Sequence, residues 1–179
     1  MSSSRPEWQL VALACQRQGI VITTLYDNVP GVESEYVITD SGLKVLFLDP
    51  FRAPSVASIN LPSVVDKVVL FSATVLDEEH ITTAKRDHPS LFASNSCKWM
   101  SMDEFVENAE NTPLPPHNVS PDDLVALIYS SGTTGNPKGA MLTNSNIMNS
   151  VTGLVERLPK EEVPFQDCLI AFLPPCSCV

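Results

Sequence analysis

The chain has 179 residues, 44% hydrophobic and 18% charged, which excludes a disordered segment and suits one domain or part of a larger one. A formal charge of −10 excludes the broad basic face that a nucleic-acid backbone needs, yet a small anion held by local positive charge remains compatible. No apolar run approaches the length of a bilayer crossing, and "MSSSRPEW" has no apolar core behind its arginine, so neither a transmembrane segment nor a secretory signal is expected.

The elements alternate helix and strand. "PEWQLVALACQRQ" reads as a helix with Pro6 near its first position, an inward stripe of Trp8, Val11, Ala12 and Cys15, and Gly19 as its stop. Leu10, Leu13 and Ala14 widen the stripe and predict burial over much of the helix surface. "IVITTL" reads as a buried β-branched strand. "VESEYVITDSG" gives a short helix ending at Gly42, and "LKVLFLD" a strand halted by Pro50. After a proline-punctuated loop, "DKVVLFS" is a further strand. "DEEHITTAKR" places acids first and bases last, as a helix dipole favours. In "SMDE", Ser101 stands three residues before Glu104 as a capping box, with Met102, Phe105, Val106 and Ala109 continuing as one helical face.

Residues 111–121, "NTPLPPHNVSP", read as a stiff, exposed connection within the domain. No Lys or Arg occurs between Lys98 and Lys138 while six acids do, which reads as a solvated acidic surface. "DLVALIYS" is then a buried strand, "GAMLT" another, and "NSNIMNSVTGLVERLP" a helix opening on an asparagine cap. Ile147, Met148, Val151, Leu154, Val155 and Leu158 recur at helical spacing before Pro159 ends it, and "CLIAFLPP" gives one more strand. This alternation predicts an α/β fold with a largely parallel sheet and flanking helices.

Between two of those strands lies "YSSGTTGNPKG", which holds three of the seven glycines. Glycines let consecutive backbone N–H groups turn inward and form an anion nest. Ser130, Ser131, Thr133 and Thr134 add hydroxyl donors, Lys138 adds a point charge, and Pro137 stiffens the approach to it. A polyphosphate suits that chemistry. The run is not a Walker A loop, since Pro137 stands where that pattern wants glycine and no Ser or Thr follows the lysine. Clusters of this composition are commonly plain hairpin turns. The ordered run between two buried strands favours the phosphate loop.

"YSSGTTGNPKGAMLT" resembles the phosphate-loop signature of the adenylate-forming acyl-CoA synthetase superfamily. "RPEW", "ACQRQGIVITTLYD" and "EYVITDSGLKVLFLD" resemble its long-chain fatty-acid–CoA ligase branch, so the likeness runs from Arg5 to about Pro174. The resemblance implies that residues 1–179 are an incomplete AMP-binding domain, a partial N-terminal adenylate-forming domain with a strand–loop–strand phosphate loop. It implies ATP phosphate contacts at Ser130, Ser131, Gly132, Thr133, Thr134, Gly135, Asn136, Pro137, Lys138 and Gly139, with Thr133, Thr134 and Lys138 foremost. It also implies ATP with Mg2+, a fatty acid and coenzyme A as the reactants of a complete enzyme. The adenine, ribose, magnesium and catalytic-lysine elements of the family are expected beyond Val179, along with the rest of the large domain and the small C-terminal domain. No metal site is expected within the chain.

One departure stands out. Where the family continues Leu-Pro-Leu-x-His, Pro175, Cys176 and Ser177 follow Pro174, which reads as an altered frame or gene end. Cys176-x-Cys178 lacks partners for a metal, and the five cysteines, Cys15, Cys97, Cys168, Cys176 and Cys178, read as reduced thiols. They suggest an intracellular protein, cytoplasmic or peripheral at a membrane. His80, His88 and His117 sit in polar stretches without a catalytic pattern, Asp122 and Asp123 lead into a strand, and Trp8 and Trp99 suit packing. The expectation is thus a fragment of a long-chain fatty-acid–CoA ligase that is inactive alone. Two alternatives stay open: a non-catalytic nucleotide-binding or interaction module, and another adenylating branch.

Overall fold

Short β-branched runs separated by amphipathic segments fold as that alternation demands. A computed structural model describes residues 5–25, 31–59, 61–94, 96–109, 113–130 and 135–157. The elements in order are α1 (Pro6–Arg17), β1 (Ile22–Thr24), α2 (Gly31–Ser41), β2 (Val45–Leu48), a 3-10 turn (Pro50–Arg52) and α3 (Ala53–Ala57). There follow β3 (Lys67–Leu70), α4 (Val75–Asp87), α5 (Pro89–Phe92), β4 (Lys98–Ser101), α6 (Met102–Glu107), β5 (Leu124–Ser130), β6 (Lys138–Thr143) and α7 (Asn144–Val155). The expected strand at "CLIAFLPP" lies outside the described residues.

The described strands form two three-stranded sheets. In the first, β3 lies between β2 and β4 and all pairs are parallel, with Val68 opposite Leu46 on one side and Trp99 on the other. A parallel strand covered on both faces reads as an unbroken apolar run. The "VVL" of β3 does so, and Val68, Val69 and Leu70 are fully buried. In the second sheet β5 is central, parallel to β1 and antiparallel to β6. One apolar cluster joins the two sheets, from Leu46, Leu48 and Val68 through Val37 and Ile38 of α2 to Tyr129 of β5. Each such aliphatic side chain contributes about 1.5–3 kcal/mol by burial.

Helix ends follow local chemistry. Thr74 and Asp77 cap α4 reciprocally, and Ser101 and Glu104 cap α6 as the sequence predicts. Gly19 and Gly42 end α1 and α2 with φ of +65° and +62°. A Cβ at Gly42 would meet nothing within 4 Å, so Gly42→Ala isolates the backbone cost of the left-handed conformation. That substitution is expected to lower stability by about 1–2 kcal/mol. A urea melt checks it, and an unchanged or raised midpoint would contradict the argument.

Several sequence expectations need correction. Only one stripe of α1 turns inward: Ala12 is buried, while Leu10 and Leu13 are 63% and 55% exposed. At 100° per residue these leucines fall on the flank away from β1. β1 starts two residues later than expected, with Ile20 and Val21 exposed ahead of it. β4 was not expected at all. It is a four-residue strand that runs without a loop into α6, and Ser101 serves as both its last residue and the cap. α6 stops at Glu107, leaving Val106 exposed and Ala109 beyond the helix. The cap of α7 is Thr143, not an asparagine: its hydroxyl accepts from the Asn146 N–H and the Asn146 side chain accepts in return. Met148, Val151, Leu154 and Val155 keep their helical spacing but lie exposed, and Leu158 and Pro159 lie outside the described residues.

At the carboxyl ends of β2 and β3 sits one ionic cluster. Arg5, just before α1, donates through Nη1 to Asp49 and through Nη2 to Asp77 Oδ2 at 2.6 Å, and its Nε meets Glu7 Oε2 at 2.8 Å. The guanidinium lies 4.7 Å from the centre of the Phe71 ring. It thereby ties α1 to β2, β3 and the first turn of α4.

Candidate functional site: the β5–β6 hairpin

A near-continuous apolar run builds the first arm of the hairpin. Val125, Ala126 and Tyr129 of β5 are buried, whereas β6, the edge of its sheet among the described residues, is mostly exposed. The register pairs Ile128 with Ala140, Tyr129 with Gly139 and Ser130 with Lys138, with an irregularity between Leu124 and Ala126. The connection therefore spans residues 131–137, and its two ends meet at the Ser130–Lys138 pair.

The predicted phosphate contacts fall unevenly on the structure. Ser130 closes β5 and is exposed. Ser131, Gly132, Thr133 and Thr134 lie outside the described residues. Gly135 has φ +111°, a conformation that favours glycine, and Asn136 beside it is exposed. Pro137 is half-buried, and Lys138 and Gly139 open β6 on the exposed side. The segment after the loop is a strand, as its sequence suggested, and α7 begins only at the far end of β6. Among the described residues no helix N-terminus points its dipole at this end of the hairpin. What the arrangement offers is a lysine and a serine facing each other across an antiparallel pair, next to glycine-rich backbone.

Behind the hairpin mouth stands a residue that sequence reasoning left unassigned. The Tyr129 hydroxyl donates to Asp40 Oδ2 at 2.6 Å. Burial first, and then Asp40, push the phenol up to about 12. A Cβ added to Gly139 would stand 3.0 Å from Tyr129 Cζ, so the ring rests directly on that glycine.

The other candidate side chains lie elsewhere. His117 is folded over Gly19 at the end of α1, its backbone N–H donates to Arg17 O, and its Nε2 lies 3.2 Å from Asp123 Oδ2. Asp123 also accepts from the Ser120 N–H, and these two contacts hold its carboxyl below the usual range. This pair sits at the start of β5, about 20 Å of strand away from the loop. Trp99 is buried and meets Phe92 edge-on at 5.8 Å. Cys15 and Cys97 are free thiols raised by burial, Cys97 further by Asp66. Cys168, Cys176 and Cys178 lie outside the described residues. Among the described residues no group of three or more His, Cys, Asp or Glu side chains could hold a metal ion. No helix among them is long and apolar enough to cross a membrane.

Comparison with known proteins adds to this geometry. Long-chain-fatty-acid–CoA ligase 6 of Mus musculus is 31% identical over 174 residues, covering 97% of this chain and 24% of the relative. Long-chain-fatty-acid–CoA ligase 1 of Homo sapiens is 31% identical over 176 residues with the same coverage. The chain thus spans about a quarter of the length of the curated relatives it matches. Among solved structures, the A domain of carboxylic acid reductase from Segniliparus rugosus, in complex with AMP and a co-purified carboxylic acid, superposes with a TM-score of 0.68. It is 17% identical and covers 87% of this chain and 25% of that one. An anthranilate CoA ligase in complex with anthranoyl-AMP superposes with a TM-score of 0.65 at 20% identity, covering 85% of this chain and 26% of that one. Both likenesses are of fold. The family model described as AMP-binding enzyme matches residues 1–179, and the chain belongs to that family.

Proposed function

We propose that the chain is the phosphate-loop-bearing part of a long-chain fatty-acid–CoA ligase, and that residues 130–139 hold the β- and γ-phosphates of ATP. The observation that carries this reading is the sequence "YSSGTTGNPKG" at the junction of antiparallel β5 and β6, in a chain whose relatives with that name match 97% of its length. Magnesium enters as the MgATP substrate.

The reaction has two steps. A fatty-acid carboxylate attacks the α-phosphate, forming the acyl-adenylate and expelling pyrophosphate. The thiolate of coenzyme A then attacks the acyl carbon and expels AMP. The hairpin's part belongs to the first step. Backbone N–H groups of Gly132 and Gly135, the hydroxyls of Ser130, Ser131, Thr133 and Thr134, and the Lys138 ammonium would stabilise charge growing on the leaving pyrophosphate. Fixed donors need no reorganisation as that charge develops. Asn136, Pro137 and Gly139 would shape the turn that presents them. Because the relatives are about four times longer, the remaining catalytic groups are ascribed to the rest of the ligase, and the 179-residue chain is expected to bind without turnover. ATP and coenzyme A as reactants support an intracellular setting, cytoplasmic or peripheral at a membrane.

Titration with ATP and with inorganic pyrophosphate tests the binding half. No heat or shift at millimolar ligand would rule out the phosphate loop. Exchange of labelled pyrophosphate into ATP, with palmitate against benzoate, tests the chemistry in a ligase completed with the remaining domain. Exchange that answers to benzoate alone would move the protein to another adenylating branch. Binding without exchange in the completed protein would favour the non-catalytic nucleotide module.

A further inference from the structure

Two strands lead to the hairpin mouth, and the Tyr129 side chain touches both of them from behind. Tyr129 precedes Ser130 on β5, and its ring covers Gly139, its cross-strand partner on β6. Side chains alternate between the faces of a strand, so those of Ser130 and Lys138 emerge on the face opposite the ring. Both residues are exposed there, while Tyr129 is buried. Among the described residues the ring's far end is anchored by Asp40, 89 residues away in the last turn of α2, through a 2.6 Å hydrogen bond.

Ordinary core packing accounts for the ring but not for its anchor. A phenylalanine would fill the same space, whereas a hydroxyl fixes where the ring points. Asp40 is also badly placed for its own helix, because a carboxylate in the last turn meets the negative end of the dipole. No basic residue offsets it in that turn. What Asp40 gains is the tyrosine hydroxyl, and what the hairpin gains is a ring that cannot slide along β6. A side chain at Gly139 would push the ring back by a few tenths of an ångström.

We propose that Tyr129, held by Asp40, is a positioning residue that sets the separation of Ser130 and Lys138 for the phosphate chain of a nucleotide. The role rests on the phosphate-loop reading given above. It is separate from the contacts themselves, since neither Tyr129 nor Asp40 reaches the exposed face of the hairpin.

The test is a double-mutant cycle in pyrophosphate binding, using Tyr129→Phe, Asp40→Ala and the double variant. Isothermal titration with inorganic pyrophosphate is run beside thermal melts of the same samples. Each single variant is expected to weaken binding about fivefold, the worth of one hydrogen bond, and the double variant also about fivefold, because both remove one anchor. A purely structural role would lower the melting midpoint and leave the affinity of the folded fraction unchanged. Singles that bind as wild type overturn the proposal, as does a double variant weakened by the product, about 25-fold. A second readout comes from the Gly139 α-protons, which the ring shifts upfield in wild type. The proposal requires that displacement to shrink in both singles, and an unmoved signal overturns it. Wild-type protein that ignores pyrophosphate would overturn the phosphate loop itself. Wild-type binding with unaffected variants overturns this inference alone.

Discussion

Arg5→Ala is expected to cost about 3–5 kcal/mol of unfolding free energy, because it takes the facing positive charge away from two buried carboxylates. Asp49 and Asp77 are 2% and 7% exposed, and both converge on the one guanidinium. Burial alone would lower the basicity of Arg5, but its bonds to Asp77, Glu7 and Asp49 outweigh that and raise it further. Burial likewise pushes Asp77 up, yet Arg5 and Thr74 hold it below its usual range. For Glu7 the bond to Arg5 is the largest influence and also lowers it. A carboxyl with a depressed folded pKa contributes stability that is present above the unfolded value near 4 and lost as pH falls through the folded one. Chemical denaturation of wild type and Arg5→Ala should therefore show a wide gap at pH 7 that narrows as pH drops below about 4. Arg5→Lys keeps the charge without the planar fork and should fall between the two. A gap under about 0.5 kcal/mol at pH 7 would show that the cluster does not hold the fold together.

Lys138→Ala is expected to weaken binding of ATP and pyrophosphate about 10- to 100-fold, the range for loss of a charge-assisted contact worth about 1.5–3 kcal/mol. The residue is exposed at the first position of an edge strand, so the melting midpoint should move little. Binding and stability thus separate for Lys138 in the opposite sense from Arg5. The salt dependence of pyrophosphate binding should also flatten in the variant, since one screened charge has gone. Unchanged affinity would remove Lys138 from the phosphate contacts and leave them to the glycine backbone and the Ser and Thr hydroxyls.

Local chemistry made much of this protein legible. The strands β2, β3 and β5 announce themselves as β-branched runs, and α4 and α6 by their charges and caps. The arms of the hairpin could be read because they flank their own loop. β4 escaped notice because four residues, "KWMS", carry no period of their own, and only pairing with β3 makes them a strand. Thr143 and Asn144 are both good cap residues side by side, and only the geometry of Asn146 decides between them. The ties that matter most were invisible for a common reason. Arg5 meets partners 44 and 72 residues away, and Tyr129 meets one 89 residues away. No spacing rule reaches that far, because such contacts depend on where whole elements pack.

The pairing of β1 with β5 also bears on how the chain leaves the ribosome. Thr23 bonds to Leu127 across 104 residues. At about 5–20 residues per second, β1 waits roughly 5–20 s for the strand that will flank it. The all-parallel sheet has no such delay, for β2, β3 and β4 follow one another between residues 45 and 101. Ile20, Val21 and Ile22 are therefore on offer to any passing strand or chaperone during that interval. Slowing translation between codons 25 and 124 should lengthen the exposure in proportion, while leaving the finished fold unchanged.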